Sequence, residues 1–257
     1  MLLTLLFLSI VGGFCSGLIG VGGAVVLIPL LLGVPPLLGT GSLNMHEIAG
    51  ITMIQVLAAS ITGYLAHRRS RLAHMPTIVT VGIPMGLLSF VGAAVSRSMS
   101  GHLMLGLFFI LVVVAFLLLL RPAPGESSPE QSPEFTFRKL PSMASGCIVG
   151  FVSGVVGAGG GFILIPIMIR ILKIPMRVTV GSSLGIVFLG ALMGSVGKII
   201  TLQVQWAYLL PVLAGSLPAS LCGAYVSKRI SPCRIRQVLL ILVLVIMCKS
   251  LYDLITY

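Results

Sequence analysis

Two glycine clusters carry the most chemical potential in this chain. Gly20, Gly22 and Gly23 form the first, and Gly157, Gly159, Gly160 and Gly161 the second. Glycine admits positive φ and lets other backbone come close. A helix that starts directly after such a turn presents N–H groups with no intrahelical acceptor, at the positive end of its dipole. Small oxyanions bind at ends of this kind. The hydroxyls of Thr52, Ser182 and Ser183, and the amide of Gln55, lie in apolar stretches where they would assist without adding charge. The competing reading of the glycines is close helix packing, to which Gly13-Xaa-Xaa-Xaa-Gly17 is suited. For the hydroxyls it is a bond between helices, or one back to the i−4 carbonyl.

Other chemistries find little support. Neither cluster is followed by GKS or GKT, and no βαβ pattern surrounds them, which excludes a dinucleotide or nucleotide-triphosphate loop. Phe151-Val152-Ser153-Gly154 is like part of an intramembrane serine protease motif, but lacks its initial glycine. The same Ser-Gly recurs at Ser16-Gly17 as repeat structure. His67, His74 and His102 have no ligand companions, and the five cysteines show no CxxC spacing. No enzyme, metal or cofactor is expected. Glu47 is the only carboxylate near a membrane segment in the first half. It reads either as a proton-coupling site or as the acid of a helix N-terminus.

The elements that must position these groups are set by composition. Hydrophobic residues make up 57% of the 257 and charged residues 8%, against about 25% charged in soluble domains. Lipid must therefore be the solvent for most of the surface. The net charge of +11 reflects scarce acids, five against sixteen Lys and Arg. The bases fall in short clusters between apolar runs, which excludes a nucleic-acid face. The first residues lack the basic segment of a signal peptide, and their apolar run continues to Leu32, so they read as mature protein.

Apolar stretches run about 2–33, 47–66, 75–95, 102–120, 142–172, 178–197, 206–226 and 234–252. Six are near the ~20 residues that span a bilayer. The first and fifth are longer and hold the glycine clusters. Between the halves lies 121–141, with five of the fifteen prolines and three of the five acids, which reads as a cytoplasmic linker. The division is thus 1–120, a first transmembrane repeat; 121–141, the linker; and 142–257, a second repeat. Ser16-Gly17 through Gly23, followed by Ile28-Pro29, returns 137 residues later as Ser153-Gly154 through Gly160, followed by Ile165-Pro166. Further on the offset becomes 131, pairing Gly50 with Gly181, Gly63 with Gly194 and Gly92 with Gly223. Such sustained identity marks an internal duplication.

Charge selects the topology. If each long run crosses the membrane once, Lys and Arg divide evenly between the two sides. If each is a hairpin turning at its glycines, thirteen of the sixteen fall on one side, in 68–71, 121–139, 170–177 and 228–236. Arg97, Lys198 and Lys249 fall on the other. The positive-inside rule favours the hairpins and places both termini outside. A 32-residue run makes about 48 Å of helix, too little for two crossings of ~30 Å. Two helices of half to two-thirds span are expected in each hairpin. The fold class is therefore all-α and polytopic, two inverted repeats each with a Gly-broken helical hairpin plus three transmembrane helices.

These residues resemble the sulfite exporter TauE/SafE family. The likeness rests on Gly17-Xaa-Xaa-Gly20-Xaa-Gly22-Gly23 with Ile28-Pro29, and on Gly154-Xaa-Xaa-Gly157-Xaa-Gly159-Gly160-Gly161 with Ile165-Pro166. Val180-Gly181-Ser182-Ser183 is similar to the family's Gly-Thr-Ser stretch. The first copy departs from the second at Ala24, where the second has Gly161, and at Ile51-Thr52, where it has Ser182-Ser183. The resemblance implies transport of sulfite, thiosulfate, an organosulfur compound or a related small anion. The expectation is an exporter in the cell (inner) membrane, with an anion held by Gly20, Gly22, Gly23, Gly157, Gly159, Gly160 and Gly161 and helped by Thr52, Gln55, Ser182 and Ser183. Its partners are the small anionic substrate and the lipid bilayer; the oligomeric state is open. An anion channel and a non-transporting membrane partner protein are the alternatives.

Overall fold

A computed structural model describes residues 1–19, 23–67, 74–120, 139–172, 174, 176–227 and 232–256. Every regular element among them is a helix: α1 (Leu2–Ile19), α2 (Ala24–Leu37), α3 (Met45–His67), α4 (Met75–Ser96), α5 (Gly101–Leu120), α6 (Lys139–Val156), α7 (Gly161–Arg170), α8 (Met176–Ile200), α9 (Trp206–Ser227) and α10 (Pro232–Thr256). Helices satisfy their own backbone polar groups, which is what a hydrocarbon surrounding requires. Five of them are long and apolar enough to cross a membrane. Leu87, Ile110, Leu210 and Ile241 are among the large apolar side chains on the outside of the bundle, where lipid would cover them.

Each glycine cluster breaks its long apolar run, as the hairpin reading expects, but the two arms are unequal. The first arms, α1 and α6, have 18 residues each, and the second arms, α2 and α7, have 14 and 10. At 1.5 Å per residue these are about 27, 21 and 15 Å. One arm therefore nearly spans, and the other stops well short. Helix α6 begins at Lys139, so the last three residues of the expected linker are helical; 121–138 lies outside the described residues.

Glycine decides how the helices cross. A Cβ on Gly13 or Gly17 of α1 would fall into the backbone of Ser216 or Ser220 of α9, and one on Gly223 of α9 into the backbone of Phe14. In the equivalent crossing, Gly150 and Gly154 of α6 meet Met85 and Ser89 of α4, and Gly92 of α4 meets Phe151. These are the same positions at offsets of 137 and 131. The first helix of each half thus packs on the fourth helix of the other, by small-residue contact. Between these crossings α3 packs on α8, and α5 packs on α10. Helices α4 and α8 run parallel, since His74 bonds Ser182 near one end and Ser96 bonds Lys198 near the other. Helix α3 runs opposite to α8, with Gly50 against Gln203 and Met53 against Gly194.

Candidate functional site

The second glycine turn is built to leave the helical path. Gly157, Gly159 and Gly160 have φ of 79°, 65° and 66°, values that side chains rarely tolerate. Helix α6 closes with Gly157 N–H and Ala158 N–H both donating to Ser153 O, at 2.8 and 3.2 Å. Helix α7 opens with Gly160 as its N-cap, and its first ladder bond is Leu164 N–H to Gly160 O at 3.0 Å. The N–H groups of Gly161, Phe162 and Ile163 precede that ladder and have no acceptor within it. All of 157–164 is buried. The positive end of α7 is therefore inside the protein, as the glycine pattern predicts.

Helix α3 lies against this turn. Gly157 abuts the Ala49 backbone, and Gly159 faces Val56. Thr52 is fully buried, with Oγ1 2.8 Å from Ile48 O and 3.0 Å from Gly157 O. Its single proton serves either its own helix or the turn, and both acceptors lie within reach. Gln55, one helical turn on and on the same face, is 1% exposed. Its Oε1 has no hydrogen-bond partner among the described residues.

The first turn is seen only in part. Gly23 is the N-cap of α2 with φ 81°, and it accepts from Val26 and Leu27 N–H at 3.2 and 3.1 Å. Gly20 and Gly22 lie outside the described residues. Ser182 and Ser183 are buried in α8, and Ser182 Oγ accepts from His74 N–H at 3.1 Å. That contact is at the end of α8 away from Thr52. Ser183 is eleven residues from Gly194, which faces Met53, or about 16 Å along the helix. The structure thus brings Thr52 to the second turn together with Gly157–Gly161. It does not bring Ser182 or Ser183 there, so one shell containing all the hydroxyls is not formed in this state. The cause is the antiparallel α3 and α8, which carry these repeat mates to opposite ends.

Residues 5–250 match the family described as Sulfite exporter TauE/SafE. The chain belongs to that family. It is 24% identical over 97% of both chains to YunE, a probable membrane transporter protein of Bacillus subtilis. A probable membrane transporter protein of Xylella fastidiosa is 28% identical over 85% of this chain and 82% of its own. One from Methanocaldococcus jannaschii is 25% identical over 93% and 92%. No solved structure matches the chain. This TauE/SafE protein is a multi-pass membrane protein of a transporter family.

Two residues near the turn take roles that the sequence pattern leaves open or misses. Glu47 sits in the first turn of α3; its Oε2 accepts from Asn44 N–H at 2.9 Å and its Oε1 from Gln205 Nε2 at 3.1 Å. The Asn44 bond is half of a capping box, the structural role weighed for this acid. Lys198 counts as an outer-loop cation in the sequence, yet it is inside α8 and fully buried. Its Nζ donates to Ser96 Oγ at 2.7 Å, Gln203 Oε1 at 2.9 Å and Val155 O at 3.1 Å. The signal for it was the continuation of apolar sequence through Ile199 and Ile200, which leaves Lys198 inside a helix rather than after one.

Proposed function

We propose that this TauE/SafE protein is a secondary transporter that exports a small anion, sulfite or an organosulfur or sulfonate compound, by alternating access around its two glycine turns. The observation that carries this reading is the buried start of α7. Three left-handed glycines aim its leading N–H groups into the protein, and α3 sets the Thr52 hydroxyl against the same turn. Backbone donors at a helix start hold an oxyanion without a formal charge, and broken helices at membrane depth are the usual place for a transporter's site. Substrate class comes from the family alone.

The duplication supports two halves, 1–120 and 142–257, of inverted topology, with both termini outside the inner membrane. Five helices in each half and the exchanged pairing of α1 with α9 and α6 with α4 fit that plan. Ser182 and Ser183 would serve the first turn as Thr52 serves the second, and rocking of the halves would expose each in turn. An inside-negative potential drives a monovalent anion outward without a coupled ion, at ~2.3 kcal/mol per 100 mV. The test is sulfite and sulfonate flux in proteoliposomes under an imposed potential. Saturable flux that rises with outward driving voltage is expected. Unsaturable flux would make the protein a channel, and no flux of any sulfur anion would remove the substrate assignment.

A further inference from the structure

The buried cation at the end of α8 has no place in the turn chemistry, and its surroundings are specific. Lys198 is 0% exposed, and its three donor bonds all go to neutral oxygens. None of its partners among the described residues is a carboxylate. The two acids among the described residues bond elsewhere: Glu47 to Asn44 N–H and Gln205, and Asp253 to Lys249. An ammonium buried without a counter-charge is costly. Part of that cost is offset because three helices end here. Ser96 is the last residue of α4, Val155 the penultimate residue of α6, and Lys198 is itself two residues from the end of α8. Their carbonyl ends carry partial negative charge. Whenever its amine is protonated, the partial charges shared by three helix ends leave Lys198 a net positive centre.

That centre lies between two polar features of the structure. On one side Val155 is two residues from Gly157, where the glycine turn begins. On the other side Gln203 lines a polar cleft of about 300 Å³ with His46, Glu47, Arg97, Thr201 and Gln205. The Gln203 side chain touches both the cleft and Lys198. Its Oε1 accepts from Lys198 Nζ and from Ser96 Oγ, while its Nε2 donates to Ala93 O at 3.1 Å and Thr201 Oγ1 at 2.8 Å. An amide oxygen held by an ammonium and a hydroxyl occupies the place an oxyanion would take.

We propose that Lys198 and Ser96 form a second anion station on the transport path, between the polar cleft and the second glycine turn, with Gln203 Oε1 as the displaceable stand-in for a small oxyanion. Arg97, exposed at the cleft, draws the anion in. Displacing one neutral acceptor gives Lys198 the counter-charge it lacks. The inference rests on the transport reading for its direction, but the station itself is an equilibrium binding site and is measurable without flux.

The decisive variant is Gln203→Glu, which fixes a carboxylate where the anion would sit. Sulfite, sulfate and nitrate binding to the solubilised full chain would be followed by the rise in melting temperature, and sulfite flux in parallel. Gln203→Glu is expected to keep the fold and to weaken oxyanion binding about tenfold or more, the worth of one charge-assisted hydrogen bond. Lys198→Met should do the same, Lys198→Arg should retain binding, and Arg97→Gln should slow uptake from the cleft side. If Lys198→Met fails to fold, Gln203→Glu and Arg97→Gln still decide. Unchanged affinity in Gln203→Glu, or no oxyanion binding to the parent chain, would overturn the station. Binding with these dependences but no flux would keep the station and remove the transport reading instead.

Discussion

Adding one methyl group to chosen glycines separates two contributions to the glycine turn. Gly39 has φ 62° and nothing within 4 Å of a Cβ, so Gly39→Ala tests backbone strain alone. Forcing an L-residue into the left-handed region costs roughly 1–2 kcal/mol. Gly92 is helical, but its Cβ would press on the Phe151 carbonyl, so Gly92→Ala tests steric clash alone. Overpacking of this kind costs about 1–3 kcal/mol. Gly157 has φ 79°, and its Cβ would enter the Ala49 backbone, so Gly157→Ala suffers both. Its expected loss is the sum, about 2–5 kcal/mol. Gly106 is the control: its nearest atom is Leu254 Cδ1 at 3.9 Å, and alanine there should gain about 0.5–1 kcal/mol of helix propensity. For a chain this long each kcal/mol moves the melting temperature by about 2–4 °C, so Gly157→Ala should melt roughly 4–20 °C below the parent. The assay is thermal unfolding of the four purified variants in one detergent. If Gly157→Ala melts with Gly39→Ala, the turn does not press on α3, and the second turn is not a buried, helix-flanked anion site.

Thr52→Val removes the hydroxyl that bridges α3 to Gly157 O while keeping its shape; a loss of about 1 kcal/mol is expected, with a higher half-saturation for sulfite, read by melting and by initial flux rates. Glu47→Gln keeps one capping acceptor, so stability should fall by less than about 1 kcal/mol; flux driven by a proton gradient that survives this change would retire Glu47 as a coupling residue. Gly154→Leu, at the crossing with Ser89, should prevent folding rather than block transport, which detergent chromatography would show as aggregation. For a monovalent anion carried alone, a 100 mV potential should shift the equilibrium ratio roughly fiftyfold; a voltage-independent ratio would mean a co-transported cation.

Much of this fold is legible because lipid imposes simple rules. Apolar length gives the spans, and glycine clusters inside over-long runs give the breaks at Gly23 and Gly157–Gly160. Periodicity cannot reveal which helix each glycine serves. Gly13, Gly17, Gly150 and Gly154 look like the turn glycines in composition, yet they are contact points between distant helices. Nor does the sequence show the unequal arms, since where α7 stops at Arg170 depends on what packs around it. The site was half legible. Thr52 reaches the second turn, but Ser182 and Ser183 require the antiparallel packing of α3 on α8 to be placed. Lys198 was misplaced because a cation beside an apolar run reads as a loop residue until three helix ends are seen to meet around it.

Comparing the two copies separates scaffold from function. Gly13 and Gly150, Gly17 and Gly154, and Gly92 and Gly223 are glycine in both copies, and each pair meets backbone at matching places on the partner helix. What the duplication keeps there is the crossing of helices, which tolerates no side chain. The polar column is different. At the same offset of 131, Lys198 and Gln203 correspond to His67 and Leu72. The duplicated scaffold therefore carries, at one end of α8, a lysine and a glutamine that the first copy lacks at those positions. In the inverted-repeat reading the two glycine turns face opposite sides of the membrane, and a lysine beside the second turn, at a position where the first copy has His67, would make the two ends of the path unequal in their hold on an anion. That inequality cannot set the net direction, which the gradient alone decides, but it sets which side saturates first. Half-saturation for sulfite should accordingly differ between the two faces of oriented proteoliposomes, and Lys198→Met should bring the two values together; equal values in the parent chain would mean that Lys198 serves the helix ends and not the anion.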